Sequence, residues 1–94
     1  MTSAYYYLTK ADYHNRLDKA LRELGNEITI PKLSSAYGVT VFHISLTNAV
    51  VIYDGDKNVE IEANDRRRIR RTHSKLEQIS GIKLTEFQKQ LQNG

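Results

Sequence analysis

The sequence predicts a small α+β domain, and three observations predict it. An amphipathic helical period runs from Tyr13 to Leu24, a β-branched and aromatic tract runs from Val39 to Ala63, and a second helical period follows Asn64-Asp65. The order expected is an N-terminal helix, an antiparallel meander of three to four strands, a basic helix and a short C-terminal helix. The chain has 94 residues, which suits a single domain over 1–94 with a small core. Hydrophobic residues at 39% and charged residues at 27% are ordinary for a folded protein and too apolar for a disordered one.

Residues 1–8 carry Tyr5, Tyr6 and Tyr7 in a row without helical period, and read as an edge strand or an ordered arm. Neighbours on a strand face opposite ways, so at least one tyrosine should be exposed as a candidate interface residue. Thr9 with Asp12 is a weak capping box, and Tyr13, Leu17, Ala20, Leu21 and Leu24 then share one helical face. Gly25-Asn26 reads as a helix C-cap.

Residues 27–49 admit two readings. In the first, Glu27 to Ile30 adds a short strand, and the run Val39 to Ser45 is a strand because β-branched and aromatic residues fit a pleated sheet and crowd a helix. Thr47-Asn48 turns the chain, and Ala49 to Tyr53 is the next strand. The segment Asp54 to Asn58 signals a hairpin, and Val59, Ile61 and Ala63 alternate with Glu60 and Glu62 on a half-buried strand. In the second reading, Pro31 to Thr40 resembles the first helix and turn of a helix-turn-helix. Val41 to Ala49 would be its recognition helix and the Asp54-Gly55 hairpin a wing. The sheet is preferred, because that recognition helix contains no Arg or Lys; a winged helix-turn-helix, and with it a transcription regulator, is the alternative.

Asp65 or Asn64 caps the next helix, whose apolar face is Ile69, Thr72, His73, Leu76 and Ile79, and Gly81 ends it. Thr85 with Gln88 reads as another capping box, with Phe87 and Leu91 on a terminal helix and a frayed tail at 92–94.

The charge distribution is the unusual feature. Arg66, Arg67, Arg68, Arg70, Arg71 and Lys75 against Asp65 give +5 in twelve residues of a chain whose net charge is +3, so the remainder carries −2. Like charges four apart on a helix cost about 0.2–0.5 kcal/mol per pair, and cations in a first turn oppose the helix dipole. A sequence chosen for folding alone would place acids there. An anionic ligand supplies a reason: the guanidinium forks and the helix N-terminal amides together suit phosphate. Against this stands the ordinary reading, a solvated face whose arginines pair with Glu60, Glu62 or Asp65. The helix–strands–helix order with a basic later helix looks faintly like a double-stranded-RNA-binding domain, which would imply phosphate contacts from that helix. The Gly-rich approach to a Lys-Lys-x-Ala-Lys segment is missing here, and Asn64 to Ile69 matches in charge alone.

Absent cysteines exclude disulfide and thiolate chemistry. His14, His43 and His73 lack metal-ligand spacing, so neither metal nor cofactor is expected. His73, edging the apolar face of the basic helix, is the histidine placed nearest a ligand. No spacing fixes a nucleophile–base pair and no glycine-rich phosphate loop occurs, so the expectation is a non-enzymatic protein. The longest apolar stretch, Ala49 to Tyr53, is far below a membrane span, and the N-terminus lacks a basic, apolar leader, so a cytoplasmic location is expected. The expected function is nucleic-acid binding through Arg66, Arg67, Arg68, Arg70, Arg71, Lys75 and His73. The alternative is a small inhibitor or adaptor, of the kind phages direct at host or defence nucleoprotein machinery, docking on an acidic protein surface. Either a monomer or a homodimer is compatible with the exposed tyrosines.

Overall fold

The computed structural model describes residues 1–28, 39–53 and 58–88. Among these residues, six strands and two helices follow one another as β1 (Thr2–Leu8), α1 (Tyr13–Leu24), β2 (Asn26–Ile28), β3 (Thr40–Ile44), β4 (Ala49–Tyr53), β5 (Asn58–Ala63), α2 (Arg66–Ser80) and β6 (Leu84–Phe87). The α+β class is as the sequence predicts, but the sheet has six strands rather than three to four. Its order is β2-β3-β4-β5-β1-β6, with every neighbouring pair antiparallel.

Alternation sorts the residues onto two faces. Ala4, Tyr6 and Leu8 of β1, Ile44 of β3, Val51 and Tyr53 of β4, and Val59, Ile61 and Ala63 of β5 are buried beneath the helices. Leu17, Ala20 and Leu21 of α1 and Ile69 and Leu76 of α2 close the core from above. The opposite face carries Tyr5, Tyr7, Glu60, Glu62 and Phe87, partly exposed, with Tyr7 38% accessible. The expected acidic outer face of β5 is therefore present, and the tyrosine run divides as strand geometry requires.

Four expectations are corrected. First, β1 is an internal strand between β5 and β6, neither edge nor arm. Adding one strand on each side of an apolar β1 satisfies its backbone groups, which an exposed edge would leave to solvent. Second, residues 84–87 form β6 instead of starting a terminal helix. Leu84 and Leu8 are register partners, as are Phe87 and Tyr5, and these tertiary pairings override a local capping signal. Gln88 is outside any element, and residues 89–94, including Leu91 and the 92–94 tail, lie outside the described residues. Third, Thr40–Ile44 is a strand, which removes the recognition helix of the winged alternative; residues 31–38, with Tyr37, lie outside the described residues, as do hairpin positions 54–57. Fourth, α1 starts at Tyr13, with Asp12 at the cap position making no side-chain bond.

Gly25 follows α1, but not as a left-handed cap. Its backbone is extended, and a Cβ there would overlap the His43 carbonyl oxygen and Ile44 Cδ1. The residue is needed because α1 hands over to β2 hard against β3. Gly81, after α2, does occupy the left-handed region at φ 70°, as a C-cap glycine should.

Candidate anion-binding groove

Helix α2 begins where the sequence places it. Asp65 caps it, accepting from the Arg68 backbone N–H at 2.9 Å. That bond, followed by the nearby Arg68 charge, holds the Asp65 carboxyl below its ordinary value. The carboxylate thus occupies one of the helix-end amides expected to help bind phosphate.

The six cations divide into two sets. Arg66 forms an ion pair with Glu86 of β6, and Arg68 pairs with Asp65 at 2.5 Å. For these two the ordinary structural reading is right, although only Asp65 was among the carboxylates expected to supply it. Glu60 and Glu62 lie across the sheet from the helix. Arg67, Arg70, Arg71 and Lys75 form no ion pair with any described residue.

His73 belongs with neither set. Its Nε2 lies 3.1 Å from the Leu84 carbonyl oxygen and 3.1 Å from Glu77 Oε2. Its ring packs 4.5 Å from that of Tyr6. Glu77 in turn accepts the Leu84 backbone N–H at 2.8 Å, so the pair ties α2 to β6. Its own burial, with the Glu86 charge adding to it, pushes the Tyr6 phenol up to about 12. His73 therefore faces the sheet, away from the unpaired cations. Among the tyrosines, Tyr6 is in the core. Tyr5 and Tyr7 flank Phe87 at ring distances of 6.2 and 5.8 Å on the far face, so they are not part of this site either.

The unpaired cations line an open groove of about 500 Å³, whose other wall is the β3–β4 turn. Arg67, Arg70, Arg71 and Lys75 share it with Ser74, Gln78, Leu46 and Thr47, and none of these lining residues is a carboxylate. Arg67, Arg71 and Lys75 are spaced four apart, so their Cα atoms climb the helix in steps of about 6 Å.

A buried hydroxyl chain fixes the wall. The turn spans residues 45–48, with Asn48 at φ 51° supplying the left-handed position that Asn tolerates. Thr72 donates to the Arg68 carbonyl at 2.8 Å, which leaves its oxygen to accept from buried Thr47 at 2.6 Å. Leu46, next to this staple, is 61% exposed and stands at the groove's rim.

The sequence reading missed Leu46, Ser74 and Gln78. Ser74 and Gln78 were findable, because 67, 71, 74 and 78 fall on one helical arc. Leu46 was visible as a large apolar residue in an otherwise polar turn, but its proximity to the arginines is tertiary.

Among the described residues no helix is long and apolar enough to cross a membrane, and no group of His, Asp and Glu is placed to hold a metal. No protein-family model matches the chain, and neither a curated protein nor a solved structure matches it.

Proposed function

We propose that the protein is a non-enzymatic nucleic-acid-binding module that grips phosphates with the outer flank of α2. One observation carries this reading: four cations line a single groove that contains no carboxylate. Each like-charge neighbour in that row opposes helix formation, so the arrangement lowers fold stability and is relieved only by something negative. Arginine at three of the four positions favours the planar, two-pronged geometry of phosphate. Contacts to phosphate fix register and carry no sequence information, so binding led by these cations is tolerant of sequence.

The test is fluorescence anisotropy of a labelled oligonucleotide over a salt series. Four phosphate contacts give a slope of log affinity against log salt of about −3. An affinity that stays flat between low and physiological salt removes the reading. The same cations suit an acidic protein surface, and the aromatic patch of Tyr5, Tyr7 and Phe87 on the opposite face gives that second reading its support. A stoichiometric protein partner that survives nuclease treatment, with no oligonucleotide binding by the purified chain, would favour it.

A further inference from the structure

We infer that the groove is built for single-stranded rather than duplex nucleic acid, with one base seated against Leu46; this rests on the phosphate-binding reading above. A helix that enters the major groove of a duplex needs free flanks on both sides of its exposed ridge. Helix α2 does not have them. The β3–β4 turn stands along one flank, anchored by the Thr47–Thr72 hydrogen bond, and lifts Leu46 beside the cations. The anchor is buried, so the wall is a fixed part of the fold.

The chemistry of the two walls differs in the way a single strand requires. One wall is a ladder of positive charge, Arg67, Arg71 and Lys75, rising in steps of about 6 Å, comparable to successive phosphates of an extended strand. The other offers an apolar side chain, 61% exposed, at the rim. A phosphate alone gains nothing from Leu46. In a duplex the apolar faces of the bases are stacked on one another and out of its reach. An unpaired nucleotide presents both features at once, an anionic backbone and an apolar base face, on opposite sides of the sugar. The groove's volume of about 500 Å³ accommodates such a unit.

The experiment uses the full chain and three probes of about a dozen residues, within the span of one binding module: oligothymidylate, a duplex, and an abasic deoxyribose-phosphate strand. The expected order is oligothymidylate tightest, by about fivefold over both others, the scale of partly burying one leucine side chain against a base. Leu46→Ser, at an exposed turn position, lowers oligothymidylate affinity to that of the abasic strand and leaves abasic binding unchanged. The chain contains no tryptophan, so Leu46→Trp creates a single reporter. Its emission is quenched by oligothymidylate and not by the abasic strand. Duplex binding equal to or tighter than single-strand binding, or an unchanged affinity in Leu46→Ser, overturns the inference while leaving phosphate binding standing. Failure of all three probes to bind removes both.

Discussion

Helices α1 and α2 lie on the same sheet face and use arginine in opposite ways. In α1, Arg22 sits in the last turn, where a cation complements the helix dipole. It bonds Asp18 at 3.0 Å and Glu27 of β2 at 3.1 Å, and its guanidinium covers the Phe42 ring at 5.5 Å. Each of its contacts is internal, and the two carboxylates, Asp18 foremost and then Glu27, hold its proton more firmly than usual. Helix α2 has no acid in its first turn and no base in its last. Its first turn is crowded with cations, and four cations along it form no ion pair with any described residue. An arginine whose charge is consumed by the fold is part of the scaffold. One that makes the helix less stable, and stands in a walled groove, is available to a partner.

The sharpest way to break this contrast is charge reversal. Arg67→Glu with Arg71→Glu should weaken oligonucleotide binding at least about a hundredfold, since it removes two phosphate contacts and adds two repulsions. Thermal unfolding should stay put or rise slightly, because the acid at position 67 now suits the first turn and the one at 71 faces Lys75 four residues on. Arg22→Glu should do the reverse, lowering the melting temperature through repulsion with Asp18 and Glu27 while leaving affinity nearly unchanged. A double variant that unfolds would show the α2 arginines to be structural.

A subtler change tests the wall. Thr72→Val keeps the volume but leaves the buried Thr47 hydroxyl without its partner, at a cost of about 1–3 kcal/mol in urea unfolding. Oligothymidylate affinity should fall along with stability, because the turn that carries Leu46 loses its anchor.

The smallest effect concerns pH. The folded Asp65 carboxyl titrates below its ordinary value of 3.8, so the unfolded chain takes up its proton first as pH falls. The stability Asp65 lends is complete above that ordinary value and is lost as pH drops through the lower folded value. Melting temperatures of wild type and Asp65→Asn should therefore converge at the acid end and separate toward neutrality. A constant gap across the range would show that the cap charge does not matter.

The sequence by itself determined α1 and α2 and their polarity. The period of Leu17, Leu21 and Leu24, and that of Ile69, Thr72 and Leu76, declares each buried stripe, and Asp65 and Gly81 declare the ends of α2, because caps and periodicity are local properties. It determined too that the arginines would lie on the solvent side of α2. It could not assign partners. Arg66 meets Glu86 twenty residues on, His73 meets Leu84, and β1 finds β6, only because antiparallel pairing folds the chain's two ends together. The terminal helix predicted around Thr85 failed for that reason: the hydrogen bonds of an open sheet edge outweighed the preference of a few residues. The groove is likewise a tertiary object. Leu46 lies some twenty residues from Arg67, and only the stacking of α2 on β4 and β5, secured by one buried pair of threonines, sets an apolar side chain beside a row of cations.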